Sequence, residues 1–443
     1  MIGVENAEEA LKLLDDKGVK YIRLWFTDVL GVLRGMTITR GEIEDVFANG
    51  QGFDGSSIQG FVRIEESDLM AHPDLSTFTL FPWAINGHKI ASVFCDIKTP
   101  HGEPYHGDPR YVLRRMVERV AAEGYKSYMG PEIEFFYFKS PDQAEIMDRG
   151  GYFEYSTVEE TIHMRKGAVS ALEEIGIPVE CSHHEVAPSQ HEIDLKYQEA
   201  LRMADFAMLY RFVIKEKALS NGHYATFMPK PIFGVNGSGM HTHQSLFKGN
   251  QNAFHDSNEK YHISALGQSY IAGILFHIRE FCLITNQWVN SYKRLVPGYE
   301  APCYISWGRR NRSSLIRVPM YQLGKEQATR VELRSPDPAC NPYLAFAVML
   351  AAGMEGVKNK YPLPEPVEEN IFAMDDRQRR RRKIKVLPAS LFEALQEFRK
   401  SNLMKEVLGE HIFNTLIENK TIEWDRFKIA VTDYEIKNYL PTL

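Results

Sequence analysis

The sequence predicts an α+β fold in two parts, a small sheet-rich unit over residues 1–105 and a larger unit mixing helices and strands over 106–443. Three observations carry this. Runs of β-branched and aromatic residues crowd the first hundred positions. Long stretches of helical spacing dominate the remainder. Between them HGEPYHGDPR, 101–110, concentrates glycine and proline and marks a boundary. A chain of 443 residues is also too long for one ordinary domain and long enough to bury a large core.

Taken in order, Ala7–Lys17 has helical spacing, with Ala10, Leu11 and Leu14 on one side. Tyr21–Ile38 reads as two strands joined around Asp28–Gly31. FDGSSIQGF, 53–61, reads as a Gly/Ser-rich loop, and Thr77–Phe81 and Ile90–Asp96 as further strands. The first unit is therefore a sheet with one helix. In the second unit Tyr111–Glu123, 160–176, 198–220, Tyr261–Thr285 and Asn341–Lys358 carry helical patterns, and the tail from Pro388 is helical again. PEIEFFYF, 131–138, is built of strand formers. Val179–Tyr197 alternates around a Pro188-Ser189 turn, as two short strands would. No period of about 20–50 residues recurs, which excludes a solenoid.

The net charge of −6 and pI near 6.2 argue against a protein built to coat nucleic acid. RQRRRRKIK, 377–385, is the one strong charge run; no aromatic residue interleaves it, so it reads as a solvated loop between helices. Five dispersed cysteines (Cys95, Cys181, Cys282, Cys303, Cys340) without a CxxC suit a reducing compartment and no zinc ribbon. There is no apolar run of about 18 residues and no signal-peptide core in MIGVENAEEALKLLDD. The expectation is a cytoplasmic protein with no membrane contact and no direct nucleic-acid partner.

Chemistry concentrates in Lys230–Leu246, KPIFGVNGSGMHTHQSL. Its glycines let backbone amides approach an anion, and on extended backbone His241 and His243 share a face. Alone, the stretch is equally a glycine-rich hairpin with two surface histidines. Glu132 and Glu134 likewise leave one face of a strand, among bulky apolar neighbours. Two like charges beside so much apolar surface call for a cation. Glu185 and Glu192 flank the Pro-Ser turn, and Glu332 lies in another alternating stretch between Arg330 and Arg334. Five glutamates and a histidine form a mainly oxygen ligand set, suited to Mg²⁺ or Mn²⁺. Arg294, Arg312, Arg317, Arg330 and Arg334 crowd the neighbouring sequence, and guanidinium forks match carboxylate and phosphate oxygens. The inventory describes an anionic substrate handled over metals.

FDGSSI at 53–58, EIEFF at 132–136, HHEVAPSQHE at 183–192, KPIFGVNGSGMHTH at 230–243, NSYKRLVPGYEAP at 290–302, NRSSLIR at 311–317 and RVELRSPDPACNPY at 330–343 resemble bacterial type I glutamine synthetase, in that family's order and spacing. The resemblance runs from about residue 18 to 440. It implies an N-terminal β-grasp domain over 1–105 and a catalytic domain over 106–443, whose antiparallel strands line a funnel open at both ends. It implies ATP-dependent ligation of ammonia to glutamate through γ-glutamyl phosphate, and two stacked hexameric rings with active sites shared between subunits. Two to three Mg²⁺ or Mn²⁺ per site are implied. Glu134, Glu185 and Glu192 would hold one ion, and Glu132, His241 and Glu332 a second. His243, Ser245, Arg317 and Arg330 would face ATP, and Arg312 would neutralise the transferring phosphoryl group. Arg294, Arg334, Asn236, Gly237 and Tyr152 would line the glutamate and ammonium side. Asp54 would reach in from an adjacent subunit to deprotonate ammonium, and Glu300 would close a flap over the intermediate.

GFVRIEESD, 60–68, and the short Glu185-to-Glu192 spacing resemble the α subtype, in which an arginine matching Arg63 mediates glutamine feedback. The segment NIFAMD carries Phe372 where some relatives have an adenylylated tyrosine, so no adenylylation is expected there. The tail TDYEIKNYLPTL diverges from that subtype and puts docking of transcriptional or inhibitory regulator proteins in question. Two rivals remain at this level: a γ-glutamyl-amine ligase with a polyamine acceptor, and a non-catalytic relative. The DGSS loop around Asp54 favours ammonium, and every metal, phosphate and glutamate position is filled.

Overall fold

In the computed structural model, which describes residues 3–56, 58, 67–155, 160–309, 311, 313–321 and 324–443, the chain opens with helix α1 (Ala7–Asp16). Asn6 caps it by accepting the Glu9 N–H, and Ala10 and Leu14 are buried against the sheet that follows. Strands β1 (Val19–Thr27) and β2 (Leu33–Thr39) form the expected hairpin. Asp28 fixes its turn by accepting the N–H groups of Leu30 and Val32, each at 3.0 Å. Helix α2 (Ile43–Asn49) is a second helix that the sequence reading did not assign. Strands β3 (Gln51–Asp54), β4 (Asp68–Pro73), β5 (Thr79–Ile85) and β6 (His88–Lys98) complete a sheet ordered β2-β1-β6-β4-β3, with β5 also on β6 and β1 parallel to β6.

Two boundaries differ from the sequence reading. Phe53 and Asp54 end a strand instead of opening a loop, because they pair with Leu69 and Asp68. Thr77 lies in a short turn of 3₁₀-helix capped by Asp74, so β5 starts at Thr79. Most of the rest of FDGSSIQGF, with Arg63, lies outside the described residues.

Helix α3 (Pro109–Ala122) starts the larger unit, with Asp108 as N-cap and proline at the first helical position. It leads into the long strand β7 (Lys126–Phe138), then α4 (Glu160–Glu174), β8 (Val179–His184), β9 (Gln190–Leu195), β10 (Gln198–Glu199), α5 (Ala200–Ser220), β11 (Tyr224–Thr226), β12 (Met240–Lys248) and β13 (Gln251–Asn252). After them come α6 (Ala265–Thr285), α7 (Ser291–Arg294), β14 (Tyr304–Ile305), β15 (Trp307–Gly308), β16 (Ile316–Arg317) and β17 (Val331–Leu333). The chain closes with α8 (Pro342–Asn359), α9 (Asp376–Arg381), β18 (Lys385–Val386), α10 (Leu391–Phe398), α11 (Asn402–Lys428) and α12 (Asp433–Tyr439). The main sheet runs β15-β16-β17-β12-β7-β9-β8, antiparallel except for β15 with β16. No helix among the described residues is long and apolar enough to cross a membrane.

Helix α6 begins four residues later than its periodicity suggests. Tyr261 and His262 have φ of 65° and 57°, which no α-helix accommodates, and Ser264 then caps the true start. The basic run 377–385 is partly helical, not a loop: Asp375 and Gln378 form a capping box for α9, and Arg379 and Arg382 pair with Asp376 and Glu369.

Glycines let α6 and α8 cross closely. A Cβ on Gly273 would sit 2.2 Å from the Ala352 carbonyl oxygen and 2.8 Å from backbone of Gly356. Backbone cannot yield as a side-chain tip can, so Gly273→Ala lowers stability by about 1–3 kcal/mol or more. Thermal unfolding checks this; an unchanged midpoint would show that the helices part freely.

Candidate active site

The pleat of the main sheet sorts its side chains. On β7 the odd positions Met129, Ile133, Phe135 and Tyr137 enter the helical core, while Glu132 and Glu134 take the opposite face. Phe136 and Phe138 also lie on that face but join a separate apolar cluster with Ala187, beyond the carboxylates. Neighbouring strands follow the same rule, so register alone assembles the site. Glu134 faces Glu192 on β9, which faces His183 on β8. One row along, Glu132 faces Asp194 on β9 and His241 on β12, and Asp194 faces Cys181 on β8. In the next row His243 faces Gly130 and Glu332, and Glu332 faces Arg317. The first two rows, with Arg317 from the third, floor a cavity of about 690 Å³.

Within it, His241 Nδ1 lies 3.4 Å from Glu132 Oε2 and 3.8 Å from Glu332 Oε1, and its Nε2 lies 3.8 Å from Glu134 Oε1. His243 Nε2 is 2.7 Å from Glu132 Oε1, and Arg330 Nε donates to His243 Nδ1 at 3.1 Å. Glu332 is fully buried and accepts from Arg334 Nη1 at 2.6 Å and Arg317 Nη1 at 3.0 Å. A Cβ on Gly239 would lie 2.5 Å from Arg294 Nη2 and 2.8 Å from His241 Nε2, so any side chain there would displace both groups. The Gly239 N–H and the Gln190 side chain both donate to Glu134 Oε2 at 2.9 Å.

The turn that carries Glu185 and Glu192 is braced from behind. Asp148 Oδ1 accepts the Ser189 N–H at 2.8 Å and lies 2.8 Å from His184 Nε2, while Oδ2 lies 3.3 Å from His191 Nε2. Ser189, held at φ 60°, returns the bond by accepting from the N–H groups of Met147 and Asp148. Histidines next in sequence to two site carboxylates thus fix the hairpin that presents them. Glu185 itself lies just past the end of β8, not within a strand.

The electrostatics demand a cation. Burial pushes the Glu134 carboxyl up to about 7, with Glu132 adding to the rise. Burial and then Glu134 push Glu185 to about 8, and burial and then Asp194 drive Glu192 far above the carboxylate range. Glu132 and Glu332 go the other way: burial opposes ionisation, but His241 and His243 outweigh it at Glu132, as Arg334 and then the histidines do at Glu332. Carboxylates that cannot all ionise together, with one Asp194 oxygen buried and unbonded, fit divalent ions with mainly oxygen ligands. Among the described residues, His183, Glu185 and Glu192 bring ligand atoms within 4.8 Å of one another, as do Glu132, His243 and Glu332, Cys181, His183 and Asp194, and Asp148, His184 and His191. His183 and His243 thus join these carboxylates beside the expected Glu134 and His241, which themselves lie 3.8 Å apart.

Asn236, Gly237, Tyr152, Glu300, Arg317 and Arg334 all line the cavity. So does Arg294, but it is buried and spends Nη1 and Nη2 on the carbonyls of Arg334, Ser335 and Pro336. Asn236 Nδ2 donates to Glu300 Oε2 at 3.1 Å. Neither Ser245, two residues past His243 on β12, nor Arg330, just before β17 and bonded to His243, is in the cavity lining. Asp54 is exposed on β3, its carboxylate accepting from the N–H and hydroxyl of Ser56, and it is not in the lining of this chain's own cavity. Arg312 lies outside the described residues. Sequence reasoning missed His183, Gln190, Asp194 and Cys181; counting every second residue from Glu192 and Glu185 would have found them.

Comparison with known proteins agrees. Residues 18–100 match the model described as glutamine synthetase, beta-Grasp domain, and 106–439 match glutamine synthetase, catalytic domain. Fold and site together define an ATP-dependent carbon–nitrogen ligase that works with divalent metal. The glutamine synthetases of Mycobacterium tuberculosis and Thermotoga maritima are 49% and 48% identical, with 98% of this chain covered and 98% and 99% of theirs. A GmaS–ADP complex (TM-score 0.89, coverage 97% and 99%) and Plasmodium falciparum glutamine synthetase (0.88, coverage 99% of each) share the fold at 27% identity. The chain belongs to the glutamine synthetase family and catalyses ATP-dependent glutamine synthesis.

Proposed function

We propose that the chain works as a type I, α-subtype glutamine synthetase, with ammonia and not a polyamine as acceptor. The observation that carries this reading is the row of Glu185, Glu192, Glu134, Glu132, His241 and Glu332 across adjoining strands, with Arg317 and Arg334 at its end. Two to three Mg²⁺ or Mn²⁺ held there would offset phosphate charge and orient ATP. A carboxylate is a poor electrophile, so phosphorylation of the glutamate γ-carboxylate comes first. His243, Ser245, Arg317 and Arg330 line the nucleotide side, and Arg312 steadies the moving phosphoryl group. Arg294, Arg334, Asn236 and Gly237 receive glutamate, with Arg294 fixed in the wall by the carbonyls it also holds. Ammonium must lose a proton before it attacks, which is the role of Asp54 from a neighbouring subunit, beside Tyr152. Glu300, at φ 58° in the segment after Gly298, closes over the acyl phosphate and excludes water.

This reading implies a β-grasp domain over 1–105, a catalytic domain over 106–443, a cytoplasmic location and a dodecamer of two hexameric rings, since exposed Asp54 needs a second chain's cavity. The test is glutamine formation from glutamate, ATP and ammonium against putrescine as acceptor. Ammonia far ahead supports the reading; equal rates overturn it. Arg63→Ala is expected to desensitise synthesis to added glutamine, and an unchanged inhibition curve would refute the subtype. Phe372 has no hydroxyl, so no nucleotide attaches there.

A further inference from the structure

We infer that Cys181, His183 and Asp194 form a further site for one thiophilic divalent cation, Zn²⁺ in chemical class, at the edge of the catalytic sheet and adjoining the catalytic carboxylates through His183. Cys181 and His183 are two apart on β8 and leave the same face, and Asp194 is the cross-strand partner of Cys181. Ligand atoms of all three lie within 4.8 Å of one another, with Cys181 Sγ donating to Asp194 Oδ2 at 2.8 Å. The other Asp194 oxygen is buried and has no hydrogen-bond partner. Of the five cysteines only Cys181 is exposed, and it opens into the same cavity as His183 and Asp194.

The donor set differs in kind from its neighbours. Thiolate, imidazole and carboxylate suit zinc, whereas the glutamate rows suit Mg²⁺ or Mn²⁺. Three protein ligands leave a fourth position open to the cavity. Binding replaces the thiol proton, released to solvent, by the metal. The His183 ring is held edge-on by Phe153 at 4.6 Å between centroids and by Tyr152 at 5.6 Å, so it is already oriented. It also stands 3.5 Å from Glu185 and 3.7 Å from Glu192. An ion held by it places two positive charges beside the carboxylates that the catalytic metals need, so occupancy inhibits synthesis.

Cobalt is the probe, because a near-ultraviolet thiolate-to-cobalt band reports sulfur ligation and none of the glutamates and histidines that would hold the catalytic ions carries sulfur. The full-length enzyme, saturated with Mg²⁺, is titrated with Co²⁺. The expected result is one equivalent per chain with that band, bleached by added Zn²⁺. Cys181→Ala loses the band and needs roughly tenfold or more Zn²⁺ for the same fractional inhibition of its own Mg²⁺-supported synthesis. Asp194→Asn binds Co²⁺ roughly tenfold more weakly. Absence of the band in the unaltered enzyme, its persistence in Cys181→Ala, or undiminished affinity in Asp194→Asn overturns the site.

Discussion

Glutamine in place of Glu332 lowers kcat roughly 10²–10³-fold while the unfolding midpoint and assembly size stay close to those of the unaltered protein. Glu332 is fully buried and holds two guanidinium groups, Arg334 at 2.6 Å and Arg317 at 3.0 Å, within reach of His241 at 3.8 Å. Arg334 and the two histidines keep it ionised against its burial. The amide preserves shape, so the sheet survives. It cannot preserve charge, and its NH₂ must point at an arginine donor or at the metal position. Both arginines lose their anchor at once, and the loss falls on the step where phosphate charge moves. Turnover at saturating ATP and glutamate, and Mn²⁺ binding followed by electron paramagnetic resonance, separate lost metal affinity from lost positioning. Turnover within about threefold of normal, with metal binding intact, would remove Glu332 from the site.

Much of this site was legible because strands have a period of two. Glu132 and Glu134, Arg330 with Glu332 and Arg334, and His241 with His243 each announce a common face from spacing alone. Family motifs then supplied the register that spacing cannot. The same rule reaches Asp194 and Cys181, but only once Glu192 and His183 are known to face each other across β8 and β9. Strands of two residues such as β15 and β16 have too little sequence to show alternation, and only tertiary pairing makes them strands. Asp148 and its two histidines were invisible for another reason. Their contact spans 36 and 43 residues and depends on Ser189 adopting a positive φ, which no local pattern encodes. Arg294 illustrates the reverse: its chemistry announced an anion binder at the cavity, and no local pattern foretold the three carbonyls it also holds.

Methionine at position 110 should destabilise the protein by about 3–5 kcal/mol, the largest stability loss expected of any single change considered. Arg110, in the first turn of α3, is 2% exposed and binds carboxylates from both units. It donates from Nε and Nη2 to Asp205 of α5 at 2.9 and 3.0 Å, from Nη2 to Asp74 at 2.8 Å, and from Nη1 to Asp96 of β6. Tyr343 at the head of α8 donates to the same Asp205 at 2.7 Å. Removing the cation leaves a buried Asp205 facing Asp74 and Asp96 with only Arg114 nearby, which reaches the latter two alone. Lysine would not rescue it, because a point charge cannot span three carboxylates as the guanidinium fork does. The loss also has a direction. Asp74 follows β4, and β4 pairs with β3 through Asp68 and Asp54, so the clamp sets the sheet edge that carries Asp54, the residue the proposed function assigns to a neighbouring subunit's site. Arg110→Met therefore lowers the urea midpoint and, below that midpoint, raises the KM for ammonium more than that for ATP. A variant that unfolds with the unaltered protein, or loses ATP affinity first, would show that the two units are held together elsewhere.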